Sequence, residues 1–99
     1  MSNTQVKRVI FNGEETQYFL FSNGDLYNEK SHKIATGGIS NGYVRYTLQL
    51  KNGPVSIGKH RLLAMLFLEN DDPEHKTVVH HKDGHPYNNS LDNLEWTTQ

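Results

Sequence analysis

Asparagine–glycine pairs recur along this chain, at Asn12-Gly13, Asn23-Gly24, Asn41-Gly42 and Asn52-Gly53, with a Gly37-Gly38 pair among them. Asn and Gly tolerate the positive φ that tight hairpin turns demand, so each pair marks a place where a strand reverses onto its neighbour. The segments between them, Val6–Phe11, 17–21 and 25–28, are short and rich in β-branched and aromatic residues. That pattern predicts a small antiparallel meander over the first part of the chain. Residues 14–16 either lengthen the first loop or belong to the second strand.

The clearest strand spans residues 42–51. Val44, Tyr46, Leu48 and Leu50 alternate with Arg45, Thr47, Gln49 and Lys51, which sets apolar groups on one face and two cations on the other. Residues 59–69 then read KHRLLAMLFLE, a run of good helix formers in which Leu62, Leu63, Leu66 and Phe67 make a core-facing stripe. The first turn of that helix holds Lys59, His60 and Arg61, cations at the end where the helix dipole is already positive. A bound phosphate would relieve the conflict, and so would a neighbouring carboxylate.

The formal charge of −1 over 99 residues conceals an asymmetry. Residues 1–68 carry eight Lys and Arg against four acids, residues 69–99 two against seven, and four cations with no anion lie between Gly42 and Arg61. Such a patch suits phosphate binding, and it equally suits a solvated strand face. With 34% hydrophobic residues, a chain of this length builds one modest core. The absence of cysteine excludes disulfides, thiol nucleophiles and Cys-ligated zinc, and fits a reducing compartment. No apolar run approaches a membrane span and the N-terminus is not a signal peptide, so no membrane partner is expected, the cytoplasm is the expected location, and the sequon Asn88-Asn89-Ser90 needs a role other than glycosylation.

After an acidic, proline-containing loop over 69–76, the chain reads TVVHHKDGHPYNNSLDNLEWTTQ, a strand, a loop dense in His, Asp and Asn, and a second strand over 94–98. Four of the six histidines fall between His75 and His85. A metal site, an acid–base site and an Asn-braced loop are all compatible with that clustering. On one strand His80 and His81 point to opposite faces, so only one of them is buried.

The order His80-His81-Lys82-Asp83-Gly84, Asn88-Asn89, then Leu91-Asp92-Asn93-Leu94-Glu95-Trp96 closely resembles the HNH motif of phage- and intron-encoded homing endonucleases. The segment upstream resembles that family too, in the Ser22-Asn23-Gly24 turn, the strand begun by Gly42-Tyr43 and the helix His60-Arg61-Leu62-Leu63-Ala64 through Phe67. The likeness runs over roughly residues 17–97. It implies an α+β fold, a small antiparallel β-meander plus one helix over 1–70 followed by a ββα-metal unit over 71–99, packed as one domain. It implies that His81 is the general base for hydrolysis of double-stranded DNA, that His80 is a metal ligand, and that the central Asn93 braces the loop and orients the base. Lys82, Arg45, Lys51, Lys59, His60 and Arg61 would then grip phosphates, while Asp83, Asn88, Asn89 and Trp96 hold the loop. The metal would be Mg2+ or Mn2+, and an imidazole where many relatives have Asp also admits Ni2+ or Zn2+.

The family's third metal ligand lies on a helix beyond the central Asn, and this sequence stops six residues after Asn93. Two functions therefore stand ahead of a third, a small structural domain with an Asn-rich loop and no active site. One is an HNH endonuclease, phage-encoded and acting in a bacterial host. The other is a shortened relative that binds DNA or a protein partner without cutting, as a monomer or weak dimer.

Overall fold

Asn12 and Gly13, at φ 52° and 78°, close the first hairpin in two residues, so that Phe11 pairs directly with Glu14. The computed structural model describes residues 4–35 and 37–98. The chain runs β1 (Val6–Phe11), β2 (Glu14–Phe21), β3 (Leu26–Asn28), β4 (Lys33–Ala35), β5 (Gly38–Ser40), β6 (Tyr43–Leu50), β7 (Gly53–Gly58), α1 (Lys59–Phe67), β8 (Val78–His81) and β9 (Leu94–Thr97), with a 3-10 turn at Leu91–Asn93. Residues 14–16 are strand, not loop.

The meander read from the turns is two antiparallel sheets, β1-β2-β3-β4 and β5-β6-β7, and β8-β9 form a separate hairpin. The break falls around Gly37, whose φ is 96°, while Gly38 opens β5 and is not part of a turn. The short strands β4 and β5, three residues each and exposed throughout, carry no hydrophobic alternation for a sequence reading to detect. In β6 the alternation holds where it matters: Tyr46 and Leu48 are buried, with Arg45, Thr47 and Gln49 on the other face.

Two tyrosines stitch the sheets together. The Tyr18 hydroxyl in β2 accepts from the Gln49 amide of β6 at 2.7 Å, and the Tyr46 hydroxyl donates to the Gly24 carbonyl in the turn before β3. Burial, with the Asp25 carboxylate nearby, raises the Tyr46 hydroxyl far above its ordinary pKa, so it remains a donor. Val9, Leu20 and Leu26 from the first sheet meet Leu48 and Ile57 from the second. Leu62, Leu63 and Ala64 of α1 complete that core, and Val79 and Leu94 bring the β8-β9 hairpin into it. The helix ends at Phe67, where Leu68 turns extended and its amide bonds the Ala64 carbonyl at 3.1 Å.

A Cβ at Gly37 would lie 2.7 Å from Val44 Cγ1 and 3.1 Å from the Arg45 carbonyl, at a φ that L-residues rarely adopt, whereas a Cβ at Gly38 would meet nothing within 4 Å. Gly37→Ala is expected to destabilise the chain by roughly 1–3 kcal/mol and Gly38→Ala to leave it within about 0.5 kcal/mol of wild type, as measured by urea unfolding.

Candidate active site

Strand alternation separates the two adjacent histidines of β8. His81 is buried at 7% relative exposure, while the His80 side chain is 54% exposed on the opposite face. His80 Nδ1 lies 3.0 Å from Oε1 of Glu95, its cross-strand partner on β9. His81 Nε2 lies 2.8 Å from Asn89 Oδ1. A carbonyl oxygen only accepts, so Nε2 carries a proton, and in the neutral ring the lone pair sits on Nδ1, which has no partner among the described residues.

The loop that presents Asn89 is held by one carboxylate and one amide. Asp83 Oδ1 accepts from the His85 amide at 2.9 Å and from Asn93 Nδ2 at 3.0 Å, and its Oδ2 accepts from Asn88 Nδ2 at 2.8 Å. These three donors hold the Asp83 carboxyl down to about 2, Asn88 contributing most. Asn93 answers with Oδ1 accepting from the Asp83 amide at 3.1 Å and Nδ2 donating to the Asn88 carbonyl at 2.9 Å. Asn93 therefore ties the loop to itself, and the side-chain contact on the His81 ring comes from Asn89. An Asn-rich loop gives no sequence signal for which of its amides faces the histidine.

Helix α1 supplies the other wall. Gly58 is its N-cap, no side chain caps the exposed amides, and no acid lies in the first turn. The His60 ring packs 4.8 Å from the His81 ring and 5.4 Å from Tyr43, with Tyr43 and His81 6.2 Å apart, so three rings meet in one cluster. The cationic role expected of His60 is not what this packing supports. Burial, then His81, Arg61 and Arg45, depress His60 to about 4, and it is a neutral imidazole near pH 7. Arg61 lies beside the cluster, its Nη1 donating to the Thr77 carbonyl at 2.8 Å and its guanidinium lying 5.9 Å from the Trp96 ring. Trp96 Nε1 in turn donates to the Leu68 carbonyl at 3.2 Å, tying β9 to the end of α1.

One surface hollow is lined by Tyr43, His60, Arg61, His80 and His81, and a second, lined by Arg45, Ser56 and Gly58, shares His60 and Arg61 with it. Arg45 Nε donates to Ser56 Oγ at 2.8 Å, which fixes that guanidinium across β7. The remaining expected phosphate contacts divide. Lys82 is exposed at the start of the loop, next to His81. Lys59 lies over the Asn23-Gly24 turn, where a Cβ on Gly24 would strike its Cε. Lys51 lines a different hollow with Glu14, Glu15 and Glu29, just past the end of β6 and six residue steps beyond Arg45, roughly 20 Å of extended chain.

The sequence leads to one expected metal ligand, His80. His80, its Nδ1 backed by Glu95, offers Nε2 in the carboxylate–histidine arrangement common to metal ligands. Among the described residues no three His, Cys, Asp or Glu side chains converge to hold an ion, and catalytic metal sites usually take about two or three protein ligands.

No protein-family model matches the chain. Individual proteins do. The DNA endonuclease I-HmuI of Bacillus phage SP01 is 38% identical over 88 residues, 88% of this chain and 49% of that protein. A solved structure described as DNA binding and cleavage by the HNH homing endonuclease I-HmuI superposes with a TM-score of 0.81 at 34% identity, over 96% of this chain and 53% of that one. This chain belongs to the HNH endonuclease family. The H-N-H endonuclease F-TflII of Escherichia phage T5 is 39% identical over 82 residues, 82% of this chain and 42% of its own length. An uncharacterized HNH endonuclease of Acanthamoeba polyphaga mimivirus is 38% identical over 80 residues, 81% of this chain and 24% of its own length. The chain thus spans between a quarter and a half of the curated relatives it matches. No helix among its described residues is long and apolar enough to cross a membrane.

The contacts separate the roles of the two asparagines. Asn93→Ala is expected to accelerate hydrogen exchange at the Asp83 and His85 amides, whereas Asn89→Ala leaves those amides protected and changes only the His81 imidazole signals; equal effects at both positions would contradict the assignment. A second expectation concerns acid. The folded chain holds His60 near 4 against 6.5 for the free side chain, so between those values the unfolded chain binds a proton that the folded chain refuses. Stability should therefore fall as pH drops from 6.5 towards 4, and thermal melts of His60→Leu should lose that part of the slope.

Proposed function

We propose that this chain is the DNA-cleaving unit of an HNH endonuclease, with His81 as the general base for phosphodiester hydrolysis. The observation that carries the reading is the setting of His81: it is the one buried histidine of β8, its Nε2 is held by the Asn89 carbonyl oxygen, and its Nδ1 has no partner among the described residues, so the neutral ring keeps its lone pair there. A base needs that arrangement, one nitrogen anchored and the other available to take a proton from water.

In the proposed reaction His81 Nδ1 takes a proton from a water molecule as its oxygen attacks phosphorus, and the bond from phosphorus to the leaving sugar oxygen breaks, that oxygen taking a proton from solvent. Arg61 stands at the same hollow with its guanidinium fixed by Thr77 and Trp96, placed to bind a phosphate oxygen. Arg45 extends the positive surface across β7 for the neighbouring backbone. DNA as the substrate rests on the likeness to I-HmuI, a DNA endonuclease whose solved structure is one of DNA binding and cleavage.

A second reading, a relative that binds DNA without cutting it, is favoured by one observation, that the described residues bring no three metal ligands together. Plasmid nicking by the 99-residue chain in Mg2+ and in Mn2+ separates the two. The endonuclease reading expects nicking that His81→Ala abolishes while duplex affinity changes less than about threefold, since the base is lost and the grip remains. Duplex binding without nicking in either ion transfers the chain to the second reading. Arg61→Ala and Arg45→Ala are each expected to lower the slope of log affinity against log salt by about one, as a lost phosphate contact does. Lys51→Ala, beside its three glutamates, should leave that slope unchanged.

A further inference from the structure

His60 is the one described residue with a buried side-chain nitrogen that has no hydrogen-bond partner. That atom, Nδ1, faces Gly58: a Cβ built there would lie 3.1 Å from Nδ1 and 2.8 Å from Cε1, but 3.7 Å from Nε2. The absence of a side chain at Gly58 is what allows the ring to lie so close to the backbone. On its other side the ring packs against Tyr43 and His81, and it borders both hollows of the site.

This burial decides where the imidazole carries its proton. A proton on Nδ1 would be a donor sealed from water with no acceptor, the costly way to leave a buried polar group unpaired. On Nε2 the proton is on the nitrogen that is not sealed, and Nδ1 keeps only a lone pair. The cationic form would need both protons and is disfavoured by the same burial and by Arg45, Arg61 and His81 around it.

We propose that His60, as the neutral Nε2–H tautomer, donates a hydrogen bond to a non-bridging oxygen of the phosphodiester that His81 hydrolyses. The inference rests on the endonuclease reading and adds to it a second substrate-touching imidazole. The two rings divide the chemistry by tautomer. His81 presents a lone pair from Nδ1 to water, and His60 presents a proton from Nε2 to the phosphate. Because His60 is uncharged, it does not repel the proton that His81 acquires, as a second imidazolium 4.8 Å away would. A neutral donor held rigidly against the backbone is suited to charge that grows on the phosphate oxygens during attack, since it need not reorganise when that charge develops.

The test uses the whole 99-residue chain. Long-range proton–nitrogen spectra of the imidazoles at pH 7 are expected to show His60 protonated on Nε2, and a short DNA duplex added in EDTA should shift that Nε2 resonance. In nicking assays, His60→Leu keeps much of the ring's volume and should lower the rate about a hundredfold, the cost of losing one such donor. His60→Gln, whose amide nitrogen reaches towards the Nε2 position, should recover at least tenfold of that loss. A proton on Nδ1, a bound duplex that leaves the His60 resonance unmoved, or equal rates for the Leu and Gln variants would each overturn the inference while leaving His81 as the base. A wild-type chain that neither binds nor nicks the duplex removes the endonuclease reading and this inference with it. Should the Leu variant fail to fold, the spectra of the wild-type chain decide alone.

Discussion

Three consecutive residues of α1, Leu62, Leu63 and Ala64, are wholly buried. Successive residues on a helix are about 100° apart, so three in a row sweep more than half of its circumference. No single sheet can cover such an arc. The helix is therefore clasped, by β6 and β7 on one side and by the β8-β9 hairpin on the other. That enclosure makes one body of two parts that would otherwise be a pair of small sheets and a two-stranded ribbon too short to stand alone. It also settles where the first turn of the helix must be, so that His60 and Arg61 meet His81 across the join.

The site inherits its character from that join. His81 and the Asn89 amide on its ring belong to the hairpin and its loop, whereas the neighbouring His60 imidazole and the Arg61 guanidinium belong to the helix. Family resemblance points to His81 with little difficulty, because the histidine is embedded in a spaced pattern of residues. The geometry adds the contacts around it: Asn89 on the ring, Asn93 and Asp83 on the loop, His60 pressed between His81 and Gly58.

What could be read from the sequence follows how local each cause is. Turn positions, the alternation of β6 and the stripe of α1 depend on neighbours within a few residues, and the chain announces them. The division of the meander into two sheets depends on β4 and β5, whose exposed residues carry no pattern. The same limit applies to charge. Lys51 and Arg45 share a strand face in the sequence, but distance along that strand puts Lys51 among glutamates and Arg45 beside the site. His60 reads as one more cation in a basic turn until its ring is seen packed against Gly58, because loss of charge by burial is a property of the assembled molecule.

The braced loop between β8 and β9 has a meaning beyond its own rigidity. Those strands pair over only four residues, His81 opposite Leu94 and His80 opposite Glu95. A slip of one position would turn every side chain of β8 to the other face, exposing His81 and burying His80. The bonds among Asp83, Asn88 and Asn93, with the Lys82 amide on the Asn93 carbonyl at 2.8 Å, start directly at the end of that ladder. They act as a key that admits one alignment of the hairpin, so in this molecule the choice between two chemically identical histidines is made by strand registration.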